Sequence, residues 1–209
     1  MIKTIIVEDN LYIQNHLVHM LSEDDRFSLI GAYEDAFDVI DICKEEHVDL
    51  VLMDVQTLHN HSGLAAGERI RREGATKVVA VTSLIDPDVL GKAKNGAADS
   101  LWYKDHGDDS LIEVLQKTMD GERIFPQFSP SVEIGEMLSK DISPRQVEIL
   151  RRFIKGMTYD EIAMDLKITK NGVRWNLDQI VEKGGFANKH ELLAAVIENR
   201  LIVTTLKEV

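Results

Sequence analysis

Five polar residues, each at the end of a short apolar run, have side chains that suit phosphoryl transfer if the fold brings them together. Glu8 and Asp9 follow KTIIV, Asp54 follows VDLVLM, Thr82 follows KVVAV, and Lys104 follows SLWY. Apolar runs of about five residues that alternate with longer amphipathic stretches are typical of buried parallel strands joined by helices. Ligands of such sheets bind outside the carboxyl ends of the strands. The sequence therefore predicts that three carboxylates, a hydroxyl and an ammonium meet in one crevice.

The three carboxylates determine the chemistry of this predicted crevice. Carboxylates held close together repel and raise each other's pKa unless a hard cation and an ammonium offset their charge. A carboxylate can also act as a nucleophile and form a covalent intermediate. The cluster thus predicts phosphoryl transfer to a carboxylate, with Mg²⁺ bound beside it. Acids are common at strand ends, but that preference does not account for five suitable groups at four strand ends.

The spacing of apolar residues predicts the elements that must position these groups. Residues 1–121 contain five strand–helix units. Right-handed crossovers between such units give an α/β fold, a doubly wound five-stranded parallel sheet covered by helices on both faces. Residues 120–141 contain two prolines and two glycines and no sustained period. We therefore predict a linker over 122–141, with room for one short helix.

The rest of the chain has only helical signals. Ser143 precedes a proline, Thr158 begins a capping-box pattern, and Thr169 and Asn188 stand where two further helices open. Serine, threonine and asparagine side chains satisfy the free N–H groups at helix starts. The sequence therefore predicts a small all-α domain of four helices over 142–209.

Charge is distributed unevenly between the two predicted domains. The chain has a net charge of −12, whereas residues 142–209 hold 11 basic and 9 acidic residues, a net of +2. This asymmetry indicates two modules with different partners. A net of +2 is small for a DNA-binding domain, because affinity for DNA comes largely from neutralising phosphates. No apolar run approaches the roughly 18 residues of a membrane span, and there is no signal-peptide pattern, so we expect no membrane partner and a cytoplasmic location.

In two parts of the sequence the chain resembles the two-component response regulators of the NarL/FixJ class. The strand-end residues resemble those of a receiver domain. The stretch SPRQVEILRRFIKGMTYDEIAMDLKITKNGVRWNLDQIVEKGGFANKHELLAAVIENRLI resembles a LuxR-type helix-turn-helix domain. The resemblance covers nearly all of the chain and implies a flavodoxin-like strand order for the sheet. It also implies a transcription regulator, not an enzyme beyond the chemistry of its own phosphorylation and dephosphorylation.

The resemblance also implies a role for each strand-end residue. Asp54 is implied as the acceptor of a phosphoryl group from a sensor histidine kinase, with Thr82 and Lys104 beside it. Mg²⁺ is implied as the cofactor, with a ligand set of Asp9, Asp54, the backbone carbonyl of Gln56 and, through water, Glu8.

The third helix of the C-terminal domain is implied as the recognition helix, which lies in the major groove of double-stranded DNA. The residues on or near its exposed N-terminal side are Lys170, Asn171, Arg174 and Trp175. Arginine and asparagine can read base edges, and lysine holds phosphates. The active form is implied to be a homodimer that binds paired half-sites.

Two departures from the family pattern lie next to the predicted site. Gly63 follows Asp54 by nine residues, where the family usually has eight, and Thr57 and Leu58 replace the usual Met-Pro. Leu101 stands where the family often has tyrosine or phenylalanine, three residues before the lysine. His59 and His61 lie in the same loop and are expected to be solvated.

Two alternatives remain open on these departures. The receiver could be atypical and regulate DNA without phosphorylation. The helical domain could instead be an adaptor that binds a protein, because Gly172 and Asp178 replace residues that usually favour the helix and DNA contact.

Overall fold

Five parallel strands form the main sheet in the computed structural model, which describes residues 1–105 and 110–208. In chain order, the strands are β1 (Ile2–Val7), β2 (Phe27–Tyr33), β3 (Leu50–Met53), β4 (Gln56–Thr57), β5 (His61–Ser62), β6 (Lys77–Thr82), β7 (Ser100–Tyr103), β8 (Glu133–Ile134) and β9 (Met137–Leu138). The main sheet has the order β2-β1-β3-β6-β7, with every neighbouring pair parallel. This is the flavodoxin-like order, which reverses between β1 and β3. The predicted α/β fold is confirmed.

Helices cover both faces of this sheet, so its central strands are buried along most of their length. Every residue of β3 is buried, as are nearly all of β6. One core cluster joins Ile6, Leu52 and Val79 of the strands to Leu17 and Leu115 of the helices. The sheet therefore forms a buried layer, and the loops at its carboxyl edge carry the polar residues.

Most of the helices begin directly after a residue whose side-chain oxygen caps them. In chain order, they are α1 (Leu11–Ser22), α2 (Val39–Glu45), α3 (Gly63–Glu73), α4 (Pro87–Lys92), α5 (Leu111–Met119), α6 (Pro144–Ile154), α7 (Tyr159–Leu166), α8 (Lys170–Lys183) and α9 (Lys189–Glu198). A π-helical turn, Ala93–Ala97, follows α4. The sequence itself predicts the last helix of the first domain over 108–119, because it opens Asp-Asp-Ser ahead of an apolar face that contains Leu111 and Leu115. Residues 108 and 109 lie outside the described residues, and the described helix has Ser110 as its N-cap.

The chain divides into two units. The first contains residues 1–128 and 205–208, and the second contains residues 129–204. The division therefore falls within the predicted linker 122–141. The segment 205–208 belongs to the first unit and not to the helical one.

The second unit consists of α6–α9, preceded by a hairpin of β8 and β9 where the sequence predicted a linker with a short helix. Ile134 is fully buried, and Gly135 has a left-handed φ of 62°. A Cβ on Gly135 would lie 2.2 Å from the carbonyl oxygen of Gly184, so only glycine fits this turn. The two-residue strands are too short to show a period in the sequence. The apolar interior of the four helices includes Ile149, Leu150, Ile162, Val173, Leu177, Ile180, Leu192 and Val196.

Over the described ranges, the structure has no helix with both the length and the apolar character needed to cross a membrane.

Candidate functional site

The carboxyl edge of the main sheet brings together Lys104, Asp54 and Glu8, which follow β7, β3 and β1. The Lys104 ammonium donates to Asp54 Oδ2 over 2.8 Å and to Glu8 Oε2 over 2.5 Å. Parallel strands end at the same edge of a sheet, and the strand order places β1 and β3 side by side. The structure therefore has one ammonium between two carboxylates that lie far apart in the sequence.

Three carboxylates at this edge form a group of hard oxygen donors. One oxygen from each of Glu8, Asp9 and Asp54 lies within 4.8 Å of the other two. Glu8 and Asp54 are buried, whereas Asp9 is exposed to solvent. Mg²⁺ is bound in proteins through one or two carboxylates plus waters and phosphate oxygens, so this donor set fits it. Gln56 begins β4 directly after the site, and its carbonyl stays a prediction as a further ligand.

Burial dominates the electrostatics of Asp54, which is only 8% exposed. Burial raises the pKa of Asp54 to about 7; the ammonium of Lys104 opposes this rise, and the charge of Glu8 adds to it. For Lys104, burial would lower the pKa, but the charges of Asp54 and Glu8 outweigh burial and raise it. Lys104 thus stays protonated. When both buried carboxyls are ionised, the cluster has an excess negative charge that a cation or a proton must offset.

Thr82 ends β6 at the same edge and is fully buried. Its Oγ1 accepts from the N–H of Leu84 (3.0 Å), and its carbonyl accepts from the N–H of Lys104 (2.9 Å). A threonine hydroxyl that accepts still has a proton to donate. Leu101, the other departure from the family pattern, is buried in β7 with its N–H bonded to the carbonyl of Ile124 (2.9 Å).

The extra residue in the loop after Asp54 is accommodated by a small hairpin, β4–β5. His59 and Asn60 at its tip both have left-handed φ angles, 62° and 61°. The N–H of Gly63 then donates to the carbonyl of Val55 (3.0 Å). A Cβ on Gly63 would lie 1.8 Å from the carbonyl oxygen of Asp54, so glycine is required where the hairpin closes against the site.

His61 is held by an acid that the sequence analysis did not identify. Its Nδ1 lies 2.8 Å from Asp35 Oδ2, and its side chain is 24% exposed, so it is less solvated than predicted. Burial would raise the pKa of Asp35, but the N–H of Phe37 and the ring of His61 outweigh burial and lower it. Asp35 lies two residues beyond the end of β2, so the strand-end pattern that indicated Asp54 could also have indicated Asp35.

In the second unit, α8 has a buried face and an exposed face. Val173, Leu177 and Ile180 are buried. The four predicted DNA-contacting residues are all exposed: Lys170, Asn171, Arg174 and Trp175. The side chain of Thr169 caps the helix by accepting from the N–H of Gly172 (3.0 Å). The cap thus satisfies an N–H at the start of α8. The four predicted residues lie on the exposed face of the helix.

Two ion pairs involve charged residues of α8. Lys170 Nζ lies 2.6 Å from Asp160 Oδ2 on α7, and both side chains are exposed. Lys189 on α9 donates a hydrogen bond to Asp178 Oδ1, and this bond raises the pKa of Lys189. The charge of Asp178 is therefore offset within the domain. Exposed pairs contribute little, so Lys170 can exchange Asp160 for another anion at small cost.

Comparison with known proteins finds a matching family for each of the two units. Residues 4–116 match the family described as response regulator receiver domain, and residues 140–196 match the family described as bacterial regulatory proteins, luxR family. The transcriptional regulatory protein DesR of Bacillus subtilis is 26% identical over 196 residues, which are 92% of this chain and 95% of DesR. The response regulator protein VraR of Staphylococcus saprophyticus is 25% identical over 211 residues, 96% of this chain and 99% of VraR.

Solved structures show the same fold. RcsB from Salmonella enterica serovar Typhimurium, solved bound to promoter rprA in the presence of the phosphomimetic BeF3-, matches with a TM-score of 0.61 at 18% identity. The match covers 94% of this chain and 98% of RcsB. The family match to the first unit spans more than half of the chain. The chain therefore belongs to the response regulators, and it joins a receiver domain to a LuxR-type helix-turn-helix domain.

Proposed function

We propose that this protein controls transcription through the phosphorylation state of Asp54, which a sensor histidine kinase sets. The observation that carries this proposal is the Lys104 ammonium 2.8 Å from Asp54 Oδ2, beside a cluster of carboxylate oxygens. A buried carboxylate with an ammonium in contact and acidic metal ligands next to it has the groups that phosphoryl transfer needs.

Each residue of the site has a separate role in the transfer. An oxygen of Asp54 forms a bond to phosphorus, while the bond from phosphorus to the histidine nitrogen of the kinase breaks and that nitrogen keeps the electron pair. The ammonium of Lys104 offsets charge on the phosphoryl oxygens, and the Thr82 hydroxyl donates a hydrogen bond to one of them. Glu8, Asp9 and Asp54, with the carbonyl of Gln56, would hold Mg²⁺, which offsets further charge on the transferred group.

The DNA-binding half of the proposal rests on the exposed face of α8. Arg174 and Asn171 carry donor groups that suit base edges, and Lys170 suits a phosphate. Trp175 is 61% exposed, which leaves its ring free to stack on a sugar or to contact a thymine methyl. RcsB, which shares this fold, was solved on promoter DNA. We propose that a homodimer places two such helices on paired half-sites.

A gel-shift titration of the full-length protein tests the whole proposal. With a small phosphodonor and Mg²⁺, wild type should bind its promoter DNA more tightly than without the donor, whereas Asp54→Asn should not respond. Equal specific binding by both proteins under both conditions would favour regulation without phosphorylation. If both proteins bind DNA weakly and independently of its sequence under both conditions, the result would favour an adaptor that binds protein.

A further inference from the structure

The segment 205–208, here called the strap, pairs with the hairpin that follows Asp54. The N–H of Lys207 donates to the carbonyl of Asn60 (2.8 Å), and the N–H of Ser62 donates to the carbonyl of Lys207 (2.9 Å). These two bonds make a parallel bridge between Lys207 and His61. The strap thus adds a short third strand beside β5, within the first unit of the chain.

Both hairpin residues that bond to the strap are partners of Gln56. The side-chain amide of Gln56 donates to Asn60 Oδ1 (2.8 Å), and Gln56 pairs with Ser62 across β4–β5. One residue earlier, the N–H of Val55 donates to Asp54 Oδ1 (2.6 Å). A continuous set of contacts therefore runs from the strap through Gln56 to the carboxylate that we propose as the phosphoacceptor.

The strap also contacts the element that follows Thr82. Glu208 pairs with the ammonium of Lys92, in the last turn of α4. Both side chains are more than half exposed, so this ion pair contributes little, and the backbone bridge at Lys207 is the main anchor. The strap thus contacts two segments, the hairpin that follows β3 and the end of the helix that follows β6.

We propose that the strap is an intramolecular regulator of phosphoryl transfer, a role that rests on the proposed function of Asp54. The paired strap stabilises the hairpin in the arrangement in which the N–H of Val55 binds Asp54 Oδ1. A phosphoryl group adds three further oxygens next to Val55 and Gln56, so the hairpin must rearrange and the bridge opens. Linkage is reciprocal at equilibrium: the paired strap lowers the equilibrium constant for phosphorylation by the same factor by which phosphorylation lowers the equilibrium constant for pairing of the strap.

A proline at position 207 removes the strap's donor without touching the site. Lys207→Pro lacks the N–H that bonds to the carbonyl of Asn60. Lys207→Ala keeps that N–H and removes only an exposed side chain. Thr205→Pro places a proline in the strap at a residue outside the bridge. The two latter variants are therefore matched controls for loss of charge and for proline itself.

The first test measures the initial rate of phosphorylation of full-length protein by a small phosphodonor with Mg²⁺, by intact-mass spectrometry. Lys207→Pro should be phosphorylated about fivefold faster than wild type, the effect of one hydrogen bond. Lys207→Ala and Thr205→Pro should keep the wild-type rate. A wild-type rate for Lys207→Pro would overturn the proposal.

The reciprocal test needs no variant and decides the matter if Lys207→Pro fails to fold. Hydrogen exchange of the Ser62 and Lys207 amides in wild type should be faster after phosphorylation, because the bridge that protects them opens more often. Unchanged protection of both amides in a phosphorylated sample would overturn the strap while leaving Asp54 as the acceptor. If wild type takes up no phosphoryl group at all, the proposed function is wrong, and the regulatory role of the strap is wrong with it.

Discussion

The Lys104 ammonium lies 2.8 Å from Asp54 Oδ2, although the two residues are 50 positions apart in the chain. The same ammonium also contacts Glu8, so one positive charge serves two buried acids. Because two acids share one ammonium, burial can raise the pKa of Asp54 despite the neighbouring lysine. It also means that neutralising Asp54 leaves Glu8 and Lys104 as a matched pair.

Asp54→Asn should make the receiver more stable at alkaline pH. Because the folded-state pKa of Asp54 is raised from 3.8 to about 7, folded wild type binds this proton more tightly than unfolded chain, and its stability falls as pH rises across that window. The variant lacks this loss, so without Mg²⁺ its free energy of unfolding should rise relative to that of wild type by about 4 kcal/mol between pH 4 and pH 8. Urea unfolding across this pH range measures the difference, and an excess that is independent of pH would contradict it.

Gly63→Ala should strongly destabilise the receiver, because the new Cβ would lie 1.8 Å from the carbonyl oxygen of Asp54. We expect a loss of about 3 kcal/mol or more in the free energy of unfolding. Gly91→Ala is the control: it lies in α4, its Cβ meets nothing within 4 Å, and it should gain about 0.5–1 kcal/mol. Urea unfolding of both variants compares them, and a neutral Gly63→Ala would show that the hairpin closes differently.

Asp9→Ala should weaken Mg²⁺ binding without harming the fold, because Asp9 is exposed and offers one of the clustered oxygens. We expect a loss of affinity of about tenfold or more. Fluorescence of Trp102, two residues before Lys104, can follow the titration. Asp25→Ala removes the same charge from an exposed residue at the opposite edge of the sheet and should titrate like wild type. The same affinity for both variants would argue against Asp9 as a ligand.

Arg174→Ala and Lys170→Ala should weaken DNA binding in different ways. If Arg174 reads a base through two hydrogen bonds, its loss should cost about 1–3 kcal/mol on the specific site and relax preference at one position. If Lys170 holds a phosphate, its loss should weaken all sequences alike and reduce the salt slope by about one per domain. Titrations at several salt concentrations on specific and scrambled DNA separate the two. Identical profiles for both variants would contradict the assignment of Arg174.

The sequence predicts the site residues whose positions the main sheet determines. Asp54 and Lys104 each follow a buried apolar run, and parallel strands must end at one edge, so their meeting follows from the strand pattern. The capping residues Thr158 and Thr169 likewise predict where α7 and α8 begin, because a side-chain oxygen at that position satisfies free N–H groups.

The backbone pairings were not predictable in this way. Hairpin β4–β5 depends on left-handed angles at His59 and Asn60, which no glycine marks in the sequence. The bridge from Lys207 to His61 joins backbone groups that are distant in sequence, and two-residue strands show no period. Asp35 has the strand-end signal, but its role depends on contact with His61, which only the folded chain shows.

Intact-mass spectrometry of the full-length protein after incubation with a small phosphodonor and Mg²⁺ tests the central claim most directly. Asparagine keeps the shape of Asp54 but is a poor nucleophile, so the variant should keep the fold and lose the phosphoryl transfer. Wild type should gain one phosphoryl group per chain, and Asp54→Asn should gain none. Stoichiometric uptake by Asp54→Asn would show that another residue is the acceptor and would contradict the account.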